Sequence, residues 1–537
     1  MRRLNGAKAT PLLSLLAACA SPAGDTSGAP ARPAAVVGVP FRAPRCAPGA
    51  PPSLVDRSAA LGFGAPQAAA EPAPPGLGWM VAEDADADGD VDLIVSETNR
   101  ARIWEQVGGA FVPRTLPLPG PAGAVPHLAL ADLDGDGWQD LLQFFGAAIL
   151  AMPGGAGLDF SPEAAVWHPL AAASVGTVKT LVIGDLDRDG DLDVVAPGMP
   201  TEPGGEAPPA RVLLQGANGL TEAAQLTDDG TAVHVQVGLA TDRDDDGDLD
   251  ILLVNDLATR STFWRNDTPA GGALALTEDS RTAGIGLSMA GMGADATDLN
   301  GDGLLDYCLS DVGPPRCFLS DGRGAWYDAQ VGLAPAAPVG RHGTVGWSVD
   351  LADLDLDGQL ELAQASSEMT GLPGEAAEGA IYPDLLWSWD GATFTDVTAA
   401  WGFGDLVPDV ASTVADLDAD GLPEVIFASP WAPPRVVGAP CRRGAGLEVR
   451  VPGPSGNLTG LGARVEVEAG GRVHVREVHA LRSHGQGPAR LSFGLGDAVR
   501  VDAVRVRWAD GAEAEATGLA VDQHITLPHP DAAPGPG

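Results

Sequence analysis

Seven copies of one acidic pattern, DxDxDGxx(D/E), constrain this 537-residue chain more than any other feature of its sequence. Each copy has oxygen-bearing side chains at positions 1, 3, 5 and 9 and a glycine at position 6. Ca²⁺ takes about six to eight oxygen ligands, and the glycine permits the sharp turn that wraps them around the ion. The pattern therefore predicts seven calcium-binding loops and about seven bound Ca²⁺.

We number the copies loops 1 to 7 in chain order. Only Asn300 replaces a carboxylate, and its amide oxygen can still coordinate a metal. The predicted ligands are Asp84, Asp86, Asp88 and Asp92 (loop 1); Asp132, Asp134, Asp136 and Asp140 (loop 2); Asp185, Asp187, Asp189 and Asp193 (loop 3); Asp242, Asp244, Asp246 and Asp250 (loop 4); Asp298, Asn300, Asp302 and Asp306 (loop 5); Asp353, Asp355, Asp357 and Glu361 (loop 6); and Asp416, Asp418, Asp420 and Glu424 (loop 7).

The residues around the loops favour strands over the helices of an EF-hand. An EF-hand needs a bidentate Glu at position 12, and no copy has an acidic residue there. Short apolar runs with β-branched residues flank most copies, for example residues 93–95 (LIV) and 181–183 (LVI). Runs of this kind, bounded by turn residues, are typical of strands. Each loop is therefore predicted to join two strands of a hairpin.

The spacing of the loops predicts a ring of similar units. Loop starts lie between 48 residues (84 to 132) and 63 residues (353 to 416) apart, which is the scale of a propeller blade. A third strand recurs after each hairpin, and its tryptophans Trp104, Trp264 and Trp387 are expected to lie in the core. We therefore expect an all-β fold, with a seven-bladed β-propeller over residues 52–440. Residues 54–63 (LVDRSAALGF) repeat the pattern of residues 394–403 (FTDVTAAWGF), which precede loop 7, so we expect residues 52 to 58 to complete the last blade.

The N-terminal region carries the features of an export signal. Residues 1–18 contain two arginines and a short apolar stretch ending in Leu16-Ala-Ala-Cys19, which resembles the lipobox of a bacterial lipoprotein. This predicts lipid attachment at Cys19; an ordinary secretory signal is the alternative. Residues 19–51 are rich in Pro, Ala and Gly and are interpreted as a disordered tether, and residues 530–537 as a disordered tail. We expect an exported, lipid-anchored protein of the outer membrane or cell surface.

Two resemblances to known families follow from these motifs. The acidic loops in their strand context resemble the FG-GAP or VCBS repeats of integrin α-type seven-bladed propellers. Residues 444–529 resemble the ASPIC/UnbV β domain that follows such repeats in proteins similar to cartilage acidic protein, through segments 457–464 (NLTGLGAR), 493–497 (FGLGD) and 504–508 (VRVRW). The chain departs from that family at residues 483–485 (SHG), where an aromatic residue is usual.

Four cysteines remain if Cys19 is lipidated, an even number in an oxidising compartment where disulfides persist. Three pairings are possible. Cys308 and Cys317 are expected to face each other across a hairpin, and Cys46 and Cys441 flank the two ends that ring closure brings together. We therefore expect Cys308 to pair with Cys317 and Cys46 with Cys441, with four free thiols as the alternative.

Charge and motif content narrow the possible functions. The formal charge is 32 − 72 = −40, which argues against nucleic acid or an anionic membrane surface as a direct partner, so membrane contact is expected only through the lipid anchor. We expect an interaction or adhesion protein that binds a protein or glycan through propeller loops. The alternative is a polysaccharide lyase or hydrolase, since a pair of acidic residues could serve a glycosidase.

The sequence contains no GxSxG, HExxH or P-loop motif, so no catalytic residue is predicted. His474, His479 and His484 lie five residues apart, a spacing that places neighbours on opposite faces of a strand.

Overall fold

The structure is a computed structural model that describes residues 36, 38–63, 78–120, 126–145, 148–170, 179–198, 208–217, 219–227, 234–256, 259–329, 344–368, 383–404, 407, 409–429 and 432–532. The chain divides into two units, residues 1–33 and 34–537. The predicted signal segment and Cys19 lie outside the described residues. Within the described ranges, no helix has the length and apolar character that a membrane span needs.

The described residues form an all-β protein, as predicted. Seven sheets follow one another along the described residues, each with four antiparallel strands, and the first sheet has a fifth strand that pairs in parallel. Each sheet holds one acidic loop between two of its antiparallel strands. The first four sheets contain Met80–Glu83, Asp92–Glu97, Arg100–Val107 and Ala110–Pro117 (sheet 1); His127–Ala131, Asp140–Phe145, Ala148–Met152 and Val166–Pro169 (sheet 2); Val182–Gly184, Asp193–Ala196, Ala210–Leu214 and Thr221–Leu226 (sheet 3); and Val235–Thr241, Asp250–Asn255, Thr262–Asn266 and Leu276–Glu278 (sheet 4).

The remaining three sheets repeat the pattern, and the last one draws a strand from the start of the chain. They contain Ala294–Thr297, Asp306–Leu309, Arg316–Ser320 and Trp326–Asp328 (sheet 5); Thr344–Ala352, Glu361–Glu368, Leu385–Trp389 and Phe394–Asp396 (sheet 6); and Ala411–Ala415, Glu424–Ser429, Ala432–Gly438 and Val55–Asp56 (sheet 7). Val55 pairs with Gly438 and Asp56 with Val437. Of the predicted segment, residues 52 to 58, the pairing with the last sheet is therefore confirmed for Val55 and Asp56.

Neighbouring sheets bury a common apolar core. The first strands of sheets 7 and 1 contact each other, as do those of sheets 5 and 6 and of sheets 6 and 7. Trp104, Trp264 and Trp387 are buried in third strands, as predicted. Each of them pairs with the residue that follows position 9 of its loop. In these three sheets the apolar core therefore begins directly beside the acidic loop.

Residues from 445 onward, together with the strand Val39–Pro40, form two further sheets of four strands each. One contains Arg472–Glu477, Arg464–Ala469, Val501–Arg507 and Glu513–Leu519; the other contains Val39–Pro40, Gln523–Thr526, Ala445–Arg450 and Arg490–Gly496, in these spatial orders. A ninth short strand, Gly485–Gln486, leaves this region and pairs in parallel with Met80–Val81 of sheet 1. Two α-helices, Ser280–Ala283 and Thr398–Trp401, a 3₁₀ helix Pro162–Ala164 and a two-stranded sheet of Thr259–Arg260 with Ser288–Met289 complete the described elements.

Residues 38–51, which the sequence analysis assigns to the tether, make specific contacts in the structure. Val39 and Pro40 pair with His524 and Gln523, and Cys46 forms a disulfide with Cys441, with a Cα–Cα distance of 5.1 Å. The contacts of the N-terminal segment therefore begin before residue 52. The structure also contains the disulfide between Cys308 and Cys317, so both predicted pairings are confirmed.

Candidate metal centres

All seven acidic loops adopt the same backbone conformation. The glycine at position 6 is left-handed in every copy, with φ between 88° at Gly303 and 102° at Gly89. Position 4 is left-handed as well, with φ between 51° at Ala419 and 75° at Gly301. The left-handed conformation at position 4 was not predicted from the sequence, although glycine occupies this position in two copies, Gly135 and Gly301. A left-handed position 4 costs little for glycine and more for residues such as Leu356, so the loop geometry is imposed against local preference in the other copies.

The aspartate at position 1 anchors each loop from the inside. All seven of these side chains are buried. One carboxylate oxygen accepts a hydrogen bond from the N–H of the position 6 glycine, at distances between 2.7 and 3.2 Å. This bond fixes the turn and leaves lone pairs on the carboxylate for a cation.

The carboxylate at position 9 ties the loop to its sheet. It is buried in all seven copies, and one of its oxygens accepts from the N–H of position 2 at 2.8 to 3.4 Å. In loops 1 to 5 the other oxygen accepts a second backbone N–H, in or just after the third strand, at 2.7 to 3.3 Å. Position 9 is therefore a structural clamp, and it can reach a metal only through its remaining lone pairs.

The carboxylates converge in the arrangement that a hard cation requires. Oxygens of positions 1, 3 and 5 lie within 4.8 Å of one another in loops 1, 2 and 4, and those of Asp185, Asp187 and Asp193 do so in loop 3. The Oδ1 atoms of Asp187 in loop 3 and of Asp418 in loop 7 are buried and have no hydrogen-bond partner among the described residues. An unpaired buried carboxylate oxygen is costly unless something positive binds it. These residues therefore fit a bound Ca²⁺.

Burial also shifts the acidity of the loop carboxylates. Burial, with a smaller contribution from neighbouring carboxylates of the same loops, raises the pKa of Asp250 to about 9 and that of Asp193 to about 8. Burial likewise raises the pKa of Asp185 to about 7. A buried carboxylate with a raised pKa is unstable as an isolated anion near neutral pH. It needs either a proton or a cation, which is the electrostatic setting of a metal site.

Comparison with known families identifies the two parts of the chain. Residues 84–142 and 298–363 match the model of the FG-GAP-like repeat, and residues 453–534 match that of ASPIC and UnbV. The chain carries FG-GAP-like repeats followed by an ASPIC and UnbV domain. This architecture is the one that the sequence motifs predicted. No curated protein matches the chain.

Solved structures with which the chain aligns are distant in sequence. BBS1N in complex with ARL6DN aligns with a TM-score of 0.43 and 9% identity, covering 68% of this chain and 93% of that chain. An Agrocybe aegerita lectin that recognises non-reducing terminal N-acetylglucosamine aligns with a TM-score of 0.42 and 16% identity, covering 68% and 94%. The Dos1 propeller aligns with a TM-score of 0.38 and 8% identity, covering 65% and 75%.

The ASPIC and UnbV domain inserts one turn, residues 482–486, among the first strands of the FG-GAP-like sheets. We call these residues the central turn. Its hydrogen bonds are from Ala294 N to Arg482 O (2.9 Å), from Val349 N to Ser483 Oγ (3.2 Å), from His484 Nδ1 to Val410 O (3.1 Å), from Met80 N to His484 O (3.3 Å) and from Leu130 N to Gln486 Oε1 (2.8 Å). These hydrogen bonds therefore connect the central turn to sheets 1, 2, 5 and 6 and to Val410, the residue before the first strand of sheet 7. A side chain at Gly485 would lie 2.7 Å from the carbonyl oxygen of Ser412, so this close approach requires glycine.

The three histidines of this domain do not form one site. His474 lies on a strand, and burial lowers its pKa to about 4. The Nε2 of His479 bonds the Glu477 carboxylate at 2.8 Å. His484 packs against Trp79 and Trp347, and burial lowers its pKa to about 3. The expectation that neighbouring histidines lie on opposite faces of one strand does not apply, because only His474 lies on a strand. The three side chains have different partners.

Proposed function

We propose that this protein is an exported, calcium-binding interaction protein. The observation that carries the proposal is the repetition of one loop geometry in seven sheets, with a buried position 1 carboxylate and a left-handed position 6 glycine each time. Bound Ca²⁺ would supply positive charge to these carboxylates, at most one ion per loop. Its role is to stabilise the hairpins, because the loops lie at the junctions of strands that form the core.

We further propose that the seven sheets are the blades of one closed propeller. A turn of only five residues can reach first strands of five sheets only if those strands converge on it. Pairing of Val55–Asp56 with Ala432–Gly438 and contact between the first strands of sheets 7 and 1 support closure of the ring. Closure leaves few exposed sheet edges, which suits a protein that works outside the cell.

The partner in this proposal is a protein or a glycan. A groove of about 830 Å³ lies between loops 5 and 6 and the ASPIC and UnbV domain. Asp302 and Asp357 line it on one side, and Arg472 and His474 line it on the other. Polar groups of both signs around a groove of this size suit hydroxyl-rich or charged ligands.

Binding and activity screens test this part of the proposal. The purified protein is applied to a glycan array with Ca²⁺ and with EDTA, and separately incubated with polysaccharides to detect cleavage. Calcium-dependent binding that weakens in Arg472→Ala and persists in Arg500→Ala, an exposed arginine outside the groove, supports a ligand in the groove. Release of cleaved sugars would instead favour the polysaccharide-active enzyme.

Anchoring at Cys19 completes the proposal. The lipobox-like sequence ending at Cys19 supports attachment of lipid there. Cys19→Ser should move the protein from the membrane fraction to the soluble fraction, whereas Ser21→Ala should not. Equal membrane fractionation of Cys19→Ser and the parent chain would contradict the anchor.

A further inference from the structure

Loop 7 holds an arginine side chain among its own ligand carboxylates. The guanidinium of Arg57 lies with Nη2 2.5 Å from Asp418 Oδ2 and Nη1 3.6 Å from Asp420 Oδ2, and Nη1 also contacts Glu424 Oε1. These three acidic residues are positions 3, 5 and 9 of the loop. A single cationic side chain therefore bridges three of the four predicted calcium ligands.

The fold holds Arg57 in that position. Arg57 directly follows the strand Val55–Asp56, and its N–H donates to Val436 O at 2.8 Å. On the paired strand, a side chain at Gly438 would lie 2.8 Å from Glu424 Cγ and 3.3 Å from Arg57 Cδ. The glycine thus leaves the space through which Arg57 reaches the loop. The side chain is largely buried, at 18% exposure.

Loop 6 shows a similar arrangement with a different arginine. Nη1 of Arg443 lies 3.4 Å from Asp355 Oδ2 and 3.1 Å from Asp357 Oδ2, which are positions 3 and 5. The backbone N–H of Arg443 also donates to Asp355 O at 2.7 Å. Asp355 is buried, whereas the position 3 residues of loops 2, 4 and 5 are exposed. The arginine is part of what covers this loop.

The other loops lack such a bridge. In the part of the chain that the structure describes, no arginine or lysine forms an ion pair with positions 3 and 5 of loops 1 to 5. Arginines do approach position 1 from outside, as Arg490 does at Asp84 and Arg507 at Asp242. Those contacts engage position 1 and, among the described residues, leave positions 3 and 5 without an arginine bridge.

We propose that Arg57 and Arg443 take the place of Ca²⁺ in loops 7 and 6, so that only loops 1 to 5 bind the ion. This inference rests on the proposed calcium function. A guanidinium donates in a fixed fork to carboxylate oxygens and neutralises them. For Ca²⁺ to enter loop 7, Arg57 would have to leave its carboxylates and remain largely buried without them, which is unfavourable. Loop 7 of sheet 7, where the ends of the repeat region meet, is thus stabilised by Arg57 and does not depend on calcium.

Calcium stoichiometry tests this division. Chelator-treated full-length protein is titrated with Ca²⁺ by calorimetry and by equilibrium dialysis. We expect five ions for the parent chain, six for Arg57→Gln, six for Arg443→Gln and seven for the double variant. Arg100→Gln is the matched control, because Arg100 pairs with Glu97 outside every loop, and it should keep five.

The outcomes separate the two proposals. Seven ions in the parent chain, or no gain in either arginine variant, would overturn the substitution while leaving calcium binding intact. No binding by the parent or any variant would overturn the proposed function and this inference together. Far-UV circular dichroism checks folding, and Arg443→Gln keeps the test decisive if Arg57→Gln does not fold, because Arg443 is about one-third exposed at 32%.

Discussion

The side-chain amide of Gln486 hydrogen-bonds to both backbone groups of Leu130, a residue 356 positions earlier in the chain. Oε1 accepts from the Leu130 N–H at 2.8 Å, and Nε2 donates to the Leu130 carbonyl at 3.0 Å. All of these groups are buried. The side-chain amide thus forms the two hydrogen bonds that a neighbouring strand would form with Leu130 of sheet 2. Through these bonds the ASPIC and UnbV domain contacts the interior of the FG-GAP-like region.

Replacing Gln486 should destabilise the whole protein. Gln486→Leu keeps much of the side-chain volume but leaves a buried N–H and a buried carbonyl without partners, each costing about 1 to 3 kcal/mol. We expect the free energy of unfolding to fall by about 2 to 4 kcal/mol in urea titrations. Gln225→Leu, at an exposed position, should change it by less than about 0.5 kcal/mol. Equal stability of the two variants would show that the central turn is not a structural junction.

Calcium removal should lower thermal stability. A ligand present at about 100 times its dissociation constant stabilises the folded state by about 2.7 kcal/mol per independent site. EDTA should therefore reduce the melting temperature strongly, and Asp187→Ala should make the difference between the melting temperatures with Ca²⁺ and with EDTA smaller. Asp267→Ala, an exposed aspartate outside the loops, should leave it unchanged. A melting curve that is the same with Ca²⁺ and with EDTA would rule out the metal assignment.

Substitutions at position 9 and at position 5 should differ in how much they lower the free energy of unfolding in the absence of calcium. Asp306 accepts backbone hydrogen bonds from Leu299 at 2.9 Å and Ser320 at 2.7 Å, and its side chain is fully buried. Asp306→Ala should therefore cost about 2 to 4 kcal/mol even in EDTA, since two buried N–H groups lose their acceptor. Asp302 is exposed, so Asp302→Ala should matter mainly when Ca²⁺ is present. Urea unfolding of both variants with and without Ca²⁺ distinguishes the two roles.

The disulfide between Cys46 and Cys441 should stabilise the closed form. It joins residues 395 positions apart, and loss of a native disulfide typically costs about 2 to 5 kcal/mol, more for long loops in the chain-entropy model. The double variant Cys46→Ser with Cys441→Ser should unfold at lower urea and expose residues 38–56 to protease. The disulfide between Cys308 and Cys317 joins residues only 9 positions apart, so its removal should lower the stability less. Peptide mapping without reductant checks both pairings directly.

Local sequence patterns predicted the parts of the site that depend on nearby residues. The hairpins around the loops, the buried tryptophans Trp104 and Trp264, and the disulfide between Cys308 and Cys317 follow from spacing and apolar runs within one unit. The disulfide between Cys46 and Cys441 followed instead from their positions at the two ends of the repeat region. The left-handed position 4 was not predicted, because most copies place residues there that rarely adopt that conformation, such as Arg188. Glycine in two copies was the available signal.

By itself, the sequence determined an all-β chain with seven acidic hairpin loops and a distinct C-terminal region, because strand alternation and loop chemistry are encoded in short stretches. Only the tertiary structure decided which distant residues meet those loops. Arg57 reaches Glu424 because the strand before it, Val55–Asp56, pairs with the last repeat, and Gln486 reaches Leu130 because one turn enters the space between first strands. Such contacts join residues more than 350 positions apart, and their partners follow from how the sheets are arranged in space, which no local pattern records.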